Sequence, residues 1–187
     1  MRKNLKQTLS IFLLLFGYEI SAQTLNEKSI IISTNLPHNL TGIYNIGMEY
    51  FLPFDKNQNA KASFALNGGF FSTDQLQESI KGYSFVFETN LYTDLMLPKN
   101  WNEYGGIKIS YGSFETQTNK NSNQSYFFGI STGIQPVIAK VLTLKISSDL
   151  GYVHNGLTNT LLFNNRRDML YSGFVVNFDL GVGIRIK

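Results

Sequence analysis

The chain is 187 residues long, enough for one domain, with sixteen Lys and Arg against thirteen Asp and Glu. It has no Cys, which excludes a disulfide framework, a thiolate metal site and a lipidated N-terminal Cys. The pI near 9.0 is no sign of nucleic-acid binding, because removing residues 1 to 22 takes away three basic residues and Glu19 and leaves a formal charge of +1.

Residues 1 to 22 read as a secretory signal peptide. Arg2, Lys3 and Lys6 precede the apolar run Leu9 to Gly17, and cleavage is expected after Ala22. The run is shorter than the ~20 residues of a membrane-spanning helix. The mature domain is then residues 23 to 187, opening with a short polar leader, Gln23 to Glu27.

Eight segments follow in which apolar residues recur at every second position, as in strands whose successive side chains point to opposite faces. Strand one, Lys28 to Asn35, sets Ile30, Ile32 and Thr34 against Ile31, Ser33 and Asn35, and the turn-forming stretch LPHNLTG ends it. Strand two, Ile43 to Leu52, sets Tyr44, Ile46, Met48, Tyr50 and Leu52 against Asn45, Gly47, Glu49 and Phe51. Strand three, Ala60 to Phe71, sets Ala62, Phe64, Leu66 and Phe70 against Lys61, Ser63, Ala65, Asn67 and Gly69. In strand four, Gly82 to Leu97, Tyr83, Phe85, Phe87, Leu91 and Leu95 oppose Ser84, Glu88, Asn90 and Asp94. A tight Pro98-Lys99-Asn100 link leads to strand five, Trp101 to Phe114, with Trp101, Ile107, Ile109 and Tyr111 opposite Tyr104, Gly106, Lys108, Ser110 and Gly112.

Strand six, Ser125 to Val137, sets Phe128, Ile130, Thr132 and Ile134 against Phe127, Gly129, Ser131, Gly133 and Gln135. Strand seven, Val141 to Val153, sets Leu142, Leu144, Ile146, Leu150 and Tyr152 against Thr143, Lys145, Ser147, Asp149 and Gly151. The last strand, Tyr171 to Lys187, is the clearest. Phe174, Val176, Phe178, Leu180, Val182, Ile184 and Ile186 fall on one face, and Val175, Asn177, Asp179, Gly181, Gly183, Arg185 and Lys187 on the other.

An even strand number, with mostly long polar connections after strands one, three, five and seven and short ones after four and six, fits an all-β fold: an eight-stranded antiparallel up-and-down transmembrane β-barrel with short periplasmic turns and longer external loops. A lipocalin-like soluble barrel would reverse the faces and point Phe85, Phe174 and Phe178 inward. Its outer surface would then be about a quarter to a third charged, whereas the polar face here is mainly Gly, Ser, Asn and Thr. The membrane reading makes Phe85, Phe87, Ile107, Ile109, Ile130, Leu144, Ile146, Phe174, Val176, Phe178, Leu180, Val182 and Ile184 lipid-facing. It places Glu49, Glu88, Asp94, Lys108, Lys145, Asp149, Asp179 and Arg185 in an interior charge network, since eight strands leave room only for side chains, with Lys61 and Lys187 at a wet rim. Tyr50, Leu95 and Trp101 at one end, and Tyr44, Phe70, Tyr111 and Tyr152 at the other, are candidates for aromatic girdles.

On Ser21-Ala22-Gln23, on Thr34-Asn35-Leu36 followed by Asn45-Ile46-Gly47-Met48-Glu49-Tyr50, and on the last strand, the chain resembles the small eight-stranded outer-membrane β-barrels, particularly the Bacteroidetes-type barrels of unknown function. The resemblance covers the whole mature chain. It implies a Gram-negative outer-membrane location, outer-membrane lipid and the assembly machinery as partners, and a protein or ligand at the external loops. The chain departs from many such barrels in ending Ile186-Lys187 rather than in an aromatic residue.

Chemistry is sparsely signalled. No phosphate loop, HExxH or EF-hand spacing is present, and no cofactor, metal site or catalytic residue is assigned. The two histidines, His38 and His154, fall at predicted external loops, and a lipid A deacylase or acyltransferase would need one of them beside Ser33, Ser148 or Ser172. Gly68-Gly69 and Gly105-Gly106 read as close-packing or bulge positions; Arg166-Arg167, Asp74, Glu78 and Lys81 read as solvated loop charges. The expectation is a non-enzymatic barrel with a structural, adhesive or binding role, too narrow inside for a wide channel.

Overall fold

The computed structural model describes residues 29–36, 43–53, 61–73, 80–93, 96–97, 101–116, 122–138, 141–157 and 170–186. The signal peptide, the polar leader, His38, Asp74, Glu78, Asp94, Leu95, the Pro98-Asn100 link, Arg166-Arg167 and Lys187 lie outside the described residues. Among the described residues nine strands are formed: β1 (Ile30–Asn35), β2 (Ile43–Pro53), β3 (Lys61–Thr73), β4 (Ile80–Thr93), β5 (Glu103–Thr116), β6 (Asn123–Ile134), the two-residue β7 (Val137–Ile138), β8 (Leu142–Leu157) and β9 (Leu170–Ile186). All pairings are antiparallel: β1 to β6 pair in chain order, and β7 and β9 flank β8. β6 pairs β8, β9 pairs β1, and the eight long strands close into a ring. None of the described helical residues belongs to a helix long and apolar enough to cross a membrane.

Alternation of side chains carries through the ring. Register lines up Ile31, Glu49, Ala65, Glu88, Lys108, Gly129 and Gly151 across successive strands, and this row points inward. The apolar row beside it points outward, so the large exposed hydrophobic side chains lie on the outer wall. That is the reverse of a soluble ligand-binding barrel: Phe85, Phe174 and Phe178 are all outside. The basal end is taken here as the one where β1 begins and β9 ends, the distal end as the opposite one.

Most strand ends shift by a residue or two from the sequence reading, so that Lys81, read as a loop charge, lies in β4; four departures have a local reason. β4 stops at Thr93 rather than Leu97, because the Glu103 carboxylate accepts the N–H groups of Met96 (3.0 Å) and Leu97 (3.3 Å) and takes them out of the ladder. Trp101 lies in a helical turn rather than on the outer face of strand five, and Asn102 takes a left-handed φ of 46°, a conformation that Asn tolerates better than most residues. The β4–β5 connection, 94–102, is therefore longer than the 74–79 connection it was expected to undercut. Strand six breaks at Gln135-Pro136 because Pro has no N–H for a ladder; the chain resumes as β7, and the Leu144 N–H donates to the Pro136 carbonyl (3.1 Å). β8 runs past Val153 to Leu157 through a bulge between Val153 and Gly156, where Asn155 has φ 51°. The double-glycine sites of β3 and β5 carry no bulge: their registers are continuous.

Glycine is needed where two strands meet beneath an inward ring. Gly129 and Gly151 are opposite partners, and a Cβ on Gly151 would lie 2.6 Å from the Gly129 Cα and 2.7 Å from the Phe127 ring that covers both. Gly105, on the outer wall, has nothing within 4 Å of such a Cβ. Gly151→Ala is expected to cost about 1–3 kcal/mol, as overpacking does, and Gly105→Ala less than about 0.5 kcal/mol, measured by urea unfolding. Equal costs at the two positions would show that the interior is not closely packed here.

Candidate functional site

The inner rows of β2, β4, β5, β8 and β9 bring charge to the middle of the ring. Lys108 on β5 reaches three carboxylates: Asp149 at 2.6 Å, Asp179 at 2.8 Å and Glu88 at 3.5 Å. Lys145 on β8 reaches Glu88 at 2.5 Å from the other side and stands 5.0 Å over the Tyr104 ring, a cation–π arrangement. Asp179 continues the chain, since its Oδ1 accepts from Asn35 Nδ2 (2.8 Å). Asp149 and Glu88 are 1% and 4% exposed. At that burial a carboxylate is tolerated only when an opposite charge or several donors meet it.

Toward the basal end the partners become neutral. Glu49 Oε1 accepts from Ser63 Oγ (2.5 Å), Tyr92 Oη (2.8 Å) and Asn90 Nδ2 (3.3 Å), and its Oε2 accepts from Gln135 Nε2 (3.1 Å). Tyr92 also touches Gln135 Oε1. Gln135 is fixed in turn by the β4–β5 turn: its N–H donates to the Trp101 carbonyl (3.0 Å), and its own carbonyl accepts from Asn102 Nδ2 (3.0 Å). Ile31, Phe51, Tyr92, Tyr104 and Val137 form an apolar cluster around this group, with Tyr92 ring centroids 5.2 Å from Phe51 and 5.3 Å from Tyr104. Rings and amides together fill the basal lumen.

Of the eight residues assigned to an interior network, the structure brings Glu88, Lys108, Lys145, Asp149 and Asp179 into one cluster. It sets Glu49 among neutral donors and buries Arg185 on the inner face of β9; Asp94 is outside the described residues. Tyr92 and Gln135 were not singled out. Tyr92 follows Glu88 and Asn90 at period two, which marks its side but not its partner. Of the thirteen outward residues, Phe85, Phe87, Ile107, Ile109, Ile130, Ile146, Phe174, Val176, Phe178 and Ile184 are exposed, and Leu144, Leu180 and Val182 are half-buried.

One predicted His–Ser pair does form. His154 Nδ1 lies 3.3 Å from Ser172 Oγ on the outer wall, and Ser172 Oγ also accepts the Asn155 N–H (3.0 Å). The serine thus satisfies the backbone group that the β8 bulge releases, and the contact has a structural cause. Ser33 and Ser148 lie on other parts of the wall, in register with Gly47 and Phe178. Among the described residues no group of His, Asp and Glu has the geometry to hold a metal ion.

Because Lys108 is shared by three acids, Lys108→Met leaves the buried Asp149 and the half-buried Asp179 without their cation. The expected loss is about 3–5 kcal/mol, the cost of breaking a buried pair. Adding Asp149→Asn and Asp179→Asn should recover most of it, as read by urea midpoints. A single variant as stable as the parent would show that the cluster does not hold the ring together.

The fold is shared with a solved barrel. The crystal structure of the N-terminal β-barrel domain of Pseudomonas aeruginosa OprF superposes with a TM-score of 0.53 at 15% identity, over 88% of this chain and 100% of that one. Neisserial surface protein A (NspA) gives 0.46 at 13%, over 86% and 94%, and Ail, the attachment invasion locus protein of Yersinia pestis, 0.41 at 11%, over 85% and 97%. At these identities the OprF domain speaks to architecture and not to activity. No curated protein matches the sequence. Residues 9–167 match the family described as protein of unknown function DUF3575, and the chain belongs to that family.

Proposed function

We propose that the protein is an integral outer-membrane β-barrel, exported by residues 1 to 22 and inserted by the outer-membrane assembly machinery, with its distal end outside the cell. Its role is structural, adhesive or binding through the external loops. The interior is a side-chain-filled plug and not a channel, and no enzymatic step is assigned to it. The carrying observation is orientation: Phe174 and Phe178 are each 77% exposed on the outer wall while Asp149 is 1% exposed within. A surface that apolar over its whole circumference is stable only against hydrocarbon, and a closed ring satisfies the backbone there.

Aromatic rings support the same reading by their level. Tyr44 and Phe70 (5.8 Å), Tyr83 and Tyr111 (6.3 Å), Tyr111 and Tyr126 (5.4 Å), and Tyr152 and Phe174 (5.8 Å) form a broken belt around the distal outer wall. Amphipathic rings gather where hydrocarbon gives way to water. Below the belt the wall is aliphatic and Phe-rich, as with Ile107, Ile130 and Leu150 in one register row.

Extraction should require detergent, and the unheated protein should migrate differently from the heated one on gels; release by carbonate overturns the membrane assignment. In vesicles, Ile130→Arg is expected to cost about 2–4 kcal/mol and Tyr126→Arg at the belt about 0–1 kcal/mol. Planar bilayers should show no steady conductance steps, and stable steps would replace the plug by a pore.

A further inference from the structure

Between the ion pairs and the basal shell, buried polar atoms meet that no protein group satisfies. Among the described residues Asn90 Oδ1, Tyr104 Oη, Ser131 Oγ and Asp149 Oδ1 are enclosed without a hydrogen-bond partner, in residues only 1% or 2% exposed. They come from four strands that follow one another round the ring. Asn90 on β4, Ser131 on β6 and Asp149 on β8 share one inner register row with Gly106 on β5. Tyr104 on β5 lies in the next row toward the basal end, with Gly133 and Ser147.

Two glycines let these atoms turn toward one another. Asn90 Oδ1 lies 2.4 Å from where a Cβ on Gly106 would stand, and Tyr104 Oη 3.0 Å from that of Gly133, so each oxygen overlies the strand next to its own. Ser131 is the register partner of Gly106 and precedes Gly133 by two residues, which puts its side chain on the same face between them. Asp149 is its partner on the other side. Remaining contacts fix the orientations. Asn90 Nδ2 faces two acids, Glu49 Oε1 at 3.3 Å and Glu88 Oε2 at 3.4 Å, so the amide oxygen has to point away from them. Asp149 Oδ2 is taken by Lys108, which leaves Oδ1. Ser131 approaches Asp149, and Ser147 approaches Tyr104, without either pair reaching hydrogen-bond geometry. A gap of that kind between polar groups suits a bridging water.

From this convergence we infer that the barrel has an internal water-binding site at the level of Gly106 and Ser131, built by Asn90, Tyr104, Ser131 and Asp149. The amide and carboxylate oxygens only accept, and water supplies protons for both; the two hydroxyls donate to its lone pairs. Buried water is held where two to four polar partners meet away from bulk solvent. A small cation is disfavoured, because the Lys108 and Lys145 ammonium groups already stand at Asp149 and over the Tyr104 ring. The water joins Asp149, and through it the Lys108 cluster, to Tyr104 in the aromatic layer, so the charged and neutral parts of the lumen form one network. The inference concerns the lumen alone and holds whatever surrounds the outer wall.

The test is nuclear magnetic resonance on the full barrel in detergent micelles, deuterated except at glycine. The inward Hα protons of Gly106 and Gly133 should give cross-peaks to water, with the sign of a water that tumbles with the protein. Ser131→Ala and Tyr104→Phe each remove a hydroxyl that could itself exchange with water, yet leave three of the four partners, so the Gly106 cross-peak should remain in both. Ser131→Val puts methyl groups where the water lies and should abolish the cross-peaks. Their absence from the parent, their loss in Ser131→Ala, or their survival in a folded Ser131→Val overturns the inference; the parent and Ser131→Ala spectra decide it even where the valine variant does not fold. Movement of the Gly106 and Gly133 resonances when sodium is exchanged for N-methylglucamine would put a cation at the site and likewise overturn the assignment to water.

Discussion

Lys108 is the point at which the ring is tied across its own middle. One ammonium on β5 holds acids from β4, β8 and β9, so the two halves of the chain are joined through charge as well as through the β9–β1 seam. An eight-stranded interior admits side chains and little else. Large inner groups therefore need small ones opposite: Phe127 lies over Gly129 and Gly151, and Asn67 over Gly47. The glycines of the inner face are the spaces into which the long polar side chains fold.

Basal to Lys108 the chemistry changes from ion pairs to a neutral shell. Glu49 takes hydrogen bonds from a serine, a tyrosine and two amides, and rings seal the space beneath. Gln135 connects this shell to the Trp101–Asn102 turn, so that the left-handed residue at 102, the break at Pro136 and the packing of Tyr92 belong to one local solution. Such a network specifies a single arrangement, because a missing partner strands a buried polar group.

Much of the architecture was legible in the sequence because one rule dominates it. In a strand, burial depends on parity, and parity survives errors in strand ends; the faces of β2, β3, β4 and β9 follow directly from it. The breaks were not legible, since they arise when a side chain outcompetes the ladder for a backbone group, as Glu103 does for Met96 and Leu97. Pro136 was visible, yet the apolar alternation through Ile134 concealed its effect. Which charges meet was also hidden: Lys108 and Asp179 are far apart in the chain, and their meeting depends on the stagger with which the ring closes. The inner aromatic cluster had no signal beyond parity, because Phe51 and Tyr104 read equally well as ordinary strand residues.

The outer wall and the lumen impose opposite demands on the same strands, and β1 meets them with the shortest of the long strands. The basal cluster of Ile31, Phe51, Tyr92, Tyr104 and Val137 gives the molecule a direction. With packed rings toward one end and ion pairs beyond them, the two mouths of the ring are chemically unlike, so anything that meets the protein from one side meets a different surface from the other.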